Sequence, residues 1–346
     1  MIVSSEGNKP KSVDELIGPA LAARLDRLDL ASRTLLSGTM PGERRSKRRG
    51  KSVEFDDFRN YTPGDDLRHI DWNVYARLDR LFIKIFREEE DLALHLLVDA
   101  SASMDAGEGA TNKLVFSARL AMALAYVGLV RQNRVSVAVL GGRRPEAPTR
   151  ELVRQISPVR GRAGVRIVGR LLLDALEGSS VENRAFEAMD LNEAVARSML
   201  SRAGTGKRGV VVLLTDALQE GGVTRAINVL ASAGAGGQRT DGYFVRVLSP
   251  TEIDPAASRS VDGGVGIGRM RSLLGDVRLT DVETGRAREV SITPAVLDAY
   301  RSRVRVHAEN LKRECSRRGV AFIPISSDAS VEDLVLTTLR RGGMLV

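Results

Sequence analysis

Leu94-His95-Leu96-Leu97-Val98-Asp99-Ala100-Ser101-Ala102-Ser103-Met104 is an apolar run that ends in a carboxylate, with two hydroxyls following at a spacing of two. A run of this length before a polar turn reads as a buried strand of a parallel sheet. His95, inside the run, reads as a core residue. Asp99 then stands at the carboxyl end of the strand, the edge where open α/β sheets bind ligands. One aspartate with two serines is an all-oxygen set, suited to Mg²⁺ or Mn²⁺ rather than Zn²⁺. Asp and Ser are also favoured helix N-caps, so the stretch alone leaves a metal loop and a helix cap both open.

Downstream, Asn112 to Val130 is apolar nearly all round and rich in alanine, which predicts a buried helix. Arg134 to Leu140, with Val135, Val137 and Val139, predicts the next strand, completing a βαβ unit whose first turn carries Asp99, Ser101 and Ser103. Gly141 to Pro158 reads as loop and short helix. Val165 to Leu176 and Leu191 to Ser201 read as amphipathic helices. Gly209-Val210-Val211-Val212-Leu213-Leu214-Thr215-Asp216 then repeats the opening pattern, an apolar strand ending in a carboxylate. In a doubly wound sheet the first and fourth strands lie side by side where the strand order reverses. That places Asp99 and Asp216 in one crevice, where two carboxylates repel unless a cation or a proton intervenes.

The remaining pattern completes an α/β chain with a doubly wound, mostly parallel sheet and helices on both faces. Val223 to Ala233 is a helix and Tyr243 to Leu248 a strand. Val277 to Thr280 and Arg288 to Ile292 flank Val282-Glu283-Thr284-Gly285 as a small inserted β-hairpin. Pro294 to Arg318 is a long helix, with Cys315 packed in it. Val320 to Ile325 is a last strand and Val331 to Arg341 a closing helix. At the other end, Ser12 to Leu36 has helical periodicity. The expected division is an N-terminal helical/β extension over residues 1–90 and the α/β domain over 91–346, with the hairpin near 262–293.

Of the 346 residues 43% are hydrophobic but only 4% aromatic, so Leu, Val, Ile and Ala must build the core. The single cysteine excludes an internal disulfide framework or a multi-cysteine zinc site, and fits a reducing compartment. Residues 1–11 lack an apolar leader, and the run Leu120 to Val130 is too short to span a bilayer, so a cytoplasmic chain without membrane insertion is expected. A net charge of +8 leaves nucleic acid, anionic membrane and acidic proteins as partner classes. The basic run Arg44-Arg45-Ser46-Lys47-Arg48-Arg49-Gly50-Lys51 has neither interleaved aromatics nor a recognisable nucleic-acid module, which counts against nucleic acid. Gly204-Thr205-Gly206-Lys207 lacks the spacing of a phosphate loop.

Glu54 to Trp72 is the most distinctive stretch. Pro63-Gly64 marks a turn, and charges of both signs alternate with Phe55, Phe58, Tyr61, Ile70 and Trp72. Arg59 and Arg68 facing Asp65, Asp66 and Asp71 predict a buried or half-buried ion network that locks a loop. His69 reads as a structural histidine.

Val53 to Asn73, followed by Leu94 to Met104, resembles the domain-of-unknown-function-58 family. Its pattern is Glu-Phe, Arg-x-Tyr-x-Pro-Gly-Asp-Asp, Arg-x-Ile-Asp-Trp and Asp-x-Ser-x-Ser-Met, met here at Glu54-Phe55, Arg59 to Asp66, Arg68 to Trp72 and Asp99 to Met104. Leu279 to Gly285 is similar to the family as well. The resemblance implies a von Willebrand factor A-like domain with a metal-ion-dependent adhesion site, in which Asp99, Ser101, Ser103 and Asp216 hold Mg²⁺ or Mn²⁺. The metal would keep a position open for a partner's carboxylate. The middle element departs from the family pattern, because Met189 precedes Asp190-Leu191-Asn192-Glu193-Ala194 where Thr is expected, and methionine is a poor ligand for Mg²⁺. Asp190 or water would have to fill in. The resemblance also implies a protein partner, a MoxR-type AAA+ ATPase, in the assembly or maturation of other proteins.

The expected function is thus a non-enzymatic protein-binding module. Two alternatives stand beside it: a Mg-dependent hydrolase or phosphotransferase using Asp99 and Asp216, and a basic nucleic-acid-binding protein. Ser101 stands where an aspartyl phosphatase loop would carry its second carboxylate, which favours binding over catalysis.

Overall fold

In a computed structural model of the chain, the described residues are 9–31, 55–63, 65–86, 92–107, 109–141, 153–178, 190–200, 208–233, 239–255, 275–281 and 286–346. The basic run 44–51, Gly64 of the expected turn, Met189, the stretch 204–207 and the hairpin tip 282–285 lie outside them. The chain divides into two units, Met1–Leu36 with Leu92–Val346, and Ser37–Asp91.

In the larger unit the first elements are α1 (Val13–Leu16) and α2 (Pro19–Leu25). Residues 12–36 carry helical periodicity, of which 32–36 lie outside the described residues, and the helix is broken at Gly18-Pro19. Proline disfavours helical backbone in the residue before it and is itself well placed at the first helical position, so one helix ends and another begins. Leu16, Leu25, Leu28 and Leu30 are buried in the main core, and Leu30 bridges Leu345. That packing joins Met1–Leu36 to the larger unit, whereas the sequence grouped it with the residues up to 90.

Within the smaller unit, β1 (Phe55–Asn60) and β2 (Phe82–Phe86) pair antiparallel, and α3 (Trp72–Leu78) lies between them in sequence.

The larger unit is built on a six-stranded sheet. Its strands are β3 (Ala93–Asp99), β4 (Arg134–Leu140), β5 (Val153–Gln155), β6 (Arg208–Thr215), β7 (Arg239–Leu248) and, further on, a strand at Ala321–Ser326. The helices between them are α4 (Lys113–Val130), α5 (Ala163–Glu177), α6 (Leu191–Leu200), α7 (Thr224–Ser232) and α8 (Pro250–Ile253). A separate antiparallel hairpin follows, β8 (Gly275–Thr280) and β9 (Ala287–Ile292). The chain closes with α9 (Pro294–Arg317), the strand Ala321–Ser326 (β10) and a helical turn α10 (Val331–Asp333), which runs on as a π-helix over Leu334–Leu339. The π-turn departs from the regular helix expected there.

Sheet order is β10-β7-β6-β3-β4-β5, all parallel except the β4–β5 pair. β5, in a stretch read as loop and short helix, is a three-residue edge strand. It is too short to show a period of two. β3 is central, flanked by β6 and β4, and all its residues are buried. Alternate residues serve opposite faces. Leu94, Leu96 and Val98 pack with α4, α5 and the N-terminal helices, while Leu97 packs with α6, α7 and α9. Each such leucine contributes on the order of 2–5 kcal/mol relative to alanine.

α4 explains its own composition. Sixteen of its residues are buried, because it lies on the centre of one sheet face under further helices. By length and hydropathy it could cross a membrane, but 89% of it is buried inside the fold. Cys315 is buried in α9, and burial pushes its thiol up to about 12.

Candidate functional site

The carboxyl edge of the sheet brings together what the two apolar strands deliver. β3 and β6 pair in parallel through Val98 and Leu214, so Asp99 and Thr215 are the next residues along each strand. The Thr215 hydroxyl donates to Asp99 Oδ2 at 2.7 Å, and the Ser101 amide donates to Asp99 Oδ1 at 2.9 Å. Ser101 and Ser103 place their hydroxyl oxygens 3.2 Å apart. Asp99 and Ser101 are buried. Both donors to Asp99 are neutral. Burial, and then the charge of Asp216, raises its carboxyl to about 6, against the opposing pull of hydrogen bonds from the Thr215 side chain and from the Ser101 backbone and side chain.

Neither carboxylate caps the α-helix that follows it in sequence. The N-cap of α4 is Asn112, whose side chain accepts from Val115 N–H, and Asp99 instead closes the tight turn to Ser101. The chain then passes through a short 3₁₀ turn at Ala102–Asp105 and Gly107. Gly107 has φ +102°, and a Cβ there would meet the Thr111 carbonyl oxygen at 2.5 Å, so only glycine fits.

Asp216 is held differently. Its Oδ2 accepts from Lys113 Nζ at 2.7 Å and its Oδ1 from the Leu218 amide at 3.1 Å. The same Lys113 ammonium reaches Glu252 Oε1 at 2.5 Å. Glu252 is fixed on α8 by a reciprocal cap with Ser249, and Tyr300 from α9 donates to its carbonyl. Lys113 is fully buried. Burial alone would push its ammonium down, but Asp216 and Glu252 outweigh that and raise it. Arg246, 3% exposed on β7, donates from Nε to the Asp216 carbonyl at 3.3 Å. Its Nη2 has no acceptor among the described residues. Burial pushes this guanidinium down, offset in part by Asp216, Glu252 and Tyr300.

After Asp216 the backbone turns through Ala217 at φ +58°, a left-handed conformation costly for a residue with a Cβ. The turn is fixed from both sides: Ala217 N–H donates to Thr215 Oγ1, and His307 Nε2 lies 3.1 Å from the Ala217 carbonyl.

Of the expected metal ligands, Asp99, Ser101 and Ser103 therefore form one cluster, and Asp216 stands beside them in an ion pair. Asp190 has another task. It is exposed and its Oδ1 accepts from Asn192 N–H at 2.8 Å, as a capping residue at the start of α6. Among the described residues no three His, Cys, Asp or Glu side chains converge as a metal cluster. A cation here would rest on Asp99 and hydroxyl oxygens. That donor set fits a hard divalent ion, because Asp99 is a buried carboxylate beside a second negative charge and has only neutral donors. Thr215, Lys113, Glu252 and Arg246 were not singled out from sequence. Lys113 carried a signal, being one of two charged residues in an otherwise apolar helical run.

Elsewhere, the expected ion network of the smaller unit resolves into local pairs. Asp65 Oδ2 accepts from Arg59 Nη2 at 2.7 Å, from the Thr62 amide at 2.9 Å and from the Thr62 hydroxyl at 2.8 Å. These bonds, that of the Thr62 amide foremost, hold the Asp65 carboxyl down at about 2. Asp66 caps the 3₁₀ turn Leu67–His69 and pairs with Arg68 at 2.9 Å. Asp71 caps α3 and pairs with Lys84 rather than an arginine, because β2 runs alongside it. The network is not buried throughout: the Arg68 side chain is 87% exposed, and Trp72, edge-on to Tyr75, is 61% exposed. On the larger unit, His95 is buried as expected, with Nδ1 2.5 Å from the Ser136 hydroxyl.

Residues 57–255, more than half of the chain, match the family model described as "Protein of unknown function DUF58". Uncharacterized proteins of Mycobacterium bovis and Mycobacterium tuberculosis are each 25% identical over 338 residues, covering 94% of this chain and 92% of theirs. Among solved structures, the pilus adhesin SpaC of Lactobacillus rhamnosus GG matches 75% of this chain at 10% identity and a TM-score of 0.31. The matched part spans about a third of that adhesin, 32% of its chain.

Proposed function

This chain belongs to the DUF58 family of proteins of unknown function, and from the geometry of its sheet edge we propose that it is a non-enzymatic protein-binding module with a metal-ion-dependent adhesion site of the von Willebrand factor A type. The observation that carries the reading is the state of Asp99. It is a buried carboxylate at the carboxyl end of the central strand, flanked by two hydroxyls 3.2 Å apart, repelled by Asp216 and, among the described residues, satisfied only by neutral donors.

Asp99, Ser101 and Ser103 would hold Mg²⁺ or Mn²⁺, with Asp216 contributing negative field from beside them. When bound, the cation supplies an open coordination position to an oxygen ligand from outside. With one carboxylate and hydroxyls as protein ligands it stays under-neutralised, which suits an external carboxylate. Arg246 supports the same reading, since its buried Nη2 is a donor with no acceptor of its own among the described residues. The partner that resemblance favours is a MoxR-type AAA+ ATPase, in a cytoplasmic assembly or maturation role. The hydrolase alternative is weakened by Asp216, whose two oxygens are already engaged by Lys113 and a backbone amide.

Co-purification from cells tests the reading. The chain should retain an ATPase of this class in Mg²⁺, and lose it in EDTA and as Asp99→Asn. A metal-dependent phosphoesterase rate lost in Asp99→Asn would replace the binding module by the hydrolase.

A further inference from the structure

We infer that Lys113 is a built-in counter-cation that withholds Asp216 from the metal, so that the Asp99 site binds its cation weakly until a partner carboxylate joins it. The inference rests on the metal-binding reading above and adds the residue that sets its strength.

The geometry separates the two aspartates. Asp99 is satisfied by a hydroxyl and an amide, with no charged donor among the described residues. Asp216 receives a full positive charge at 2.7 Å, and its second oxygen takes the Leu218 amide. A metal that recruited Asp216 directly would have to displace an ammonium that is pinned from two sides. Glu252 holds Lys113 at 2.5 Å and is itself fixed by Ser249.

The position of Lys113 sharpens the point. It is the first residue of an 18-residue helix, at the positive end of the macrodipole, where a cation is disfavoured. It is also fully buried, in a helix whose other buried positions are almost all apolar. A methionine or leucine would suit both the helix and the core better, so what Lys113 provides is its charge on Asp216 and Glu252. With Asp216 tied to Lys113, a hard cation at the edge has Asp99 as the one carboxylate free to ligate it directly among the described residues. Affinity for such cations rises with the number of carboxylates that hold them. The missing one comes from the partner, and metal and partner then bind cooperatively.

Mn²⁺ titration of the purified full chain, read by the EPR signal of the free ion, tests this. Lys113→Met should bind Mn²⁺ more tightly than the wild type, by about tenfold or more, because Asp216 is released to the site. Lys113→Met/Asp216→Asn, which removes both charges of the pair, should stay within about threefold of the wild type, and Asp99→Asn should lose binding. Should Lys113→Met not fold, the double variant carries the test, because it leaves only Glu252, whose side chain is 23% exposed and can reach water. Loss of Mn²⁺ binding in the double variant as complete as in Asp99→Asn would make Asp216 a direct ligand and overturn the inference while leaving the metal site standing. So would a folded Lys113→Met no tighter than the wild type. Failure of both wild type and Lys113→Met to bind Mn²⁺ would remove the metal site itself, and the inference with it.

Discussion

Lys113 approaches Asp216 to 2.7 Å and Arg68 approaches Asp66 to 2.9 Å, so by distance the two ion pairs are near equals. Their surroundings are not. The Lys113 and Asp216 side chains are 0% and 3% exposed, whereas the Arg68 side chain is 87% exposed. Coulomb attraction grows several-fold as the medium loses water, and so does the cost of leaving either charge alone. The exposed pair holds a turn that its backbone cap already defines. The buried pair cannot lose one member without stranding the other. Proximity therefore says which groups meet, and burial says what the meeting is worth.

The largest expected effect follows from that. Lys113→Met should destabilise the chain by about 3–5 kcal/mol in urea unfolding, since it strands Asp216, and Lys113→Met/Asp216→Asn should recover most of the loss. A single-variant loss no larger than that of an exposed pair would break the comparison.

Acid titration should then sharpen it, because two aspartates respond with opposite sign. The Asp99 carboxyl sits at about 6, above its ordinary 3.8, so the metal-free fold binds that proton more tightly than the unfolded chain does. In EDTA, stability should fall as pH rises from about 4 through about 6, and Asp99→Asn should flatten that slope. The Asp65 carboxyl sits at about 2, below 3.8, so its contribution is present above about pH 4 and lost as pH falls towards 2. Arg59→Ala should raise the Asp65 midpoint seen by carboxyl NMR. At the bottom of the scale, Arg68→Ala should leave the unfolding midpoint unchanged within error. A clear drop there would mean that this arginine meets something beyond Asp66.

What the sequence revealed and what it hid divide along the same line. The parallel sheet, the central place of Leu94–Asp99 and the meeting of its edge with that of Val210–Asp216 were legible, because an apolar strand and its polar end are local patterns. So was α4. The electrostatics of the edge were not, because Asp216 meets Lys113 across 103 positions and Lys113 meets Glu252 across 139. No local pattern couples residues that far apart. Asp190 misled for the opposite reason: an aspartate before an amphipathic helix serves as a cap, and nearby sequence cannot tell a cap from a ligand. The two breaks in expected helices are local but weak in signal, since Gly18-Pro19 interrupts an apolar period without ending it, and the π-turn at Leu334–Leu339 leaves the apolar spacing nearly intact.

The all-apolar helix α4 has a consequence for how the chain is made. Two of the strands that share its core, β6 and β7, lie far downstream, and some 85 residues separate the end of α4 at Val130 from the end of β6 at Thr215. At translation rates of about 5–20 residues per second, that gap is on the order of 4–17 s. During it an 18-residue segment, hydrophobic enough to enter a bilayer, is finished before its sheet is. The helices ahead of it in sequence, α1 and α2, are by then complete, and Leu16, Leu25 and Leu28 belong to the same apolar core. Together with Leu94, Leu96 and Val98 of β3, these leucines are the part of the apolar core that is synthesised before α4.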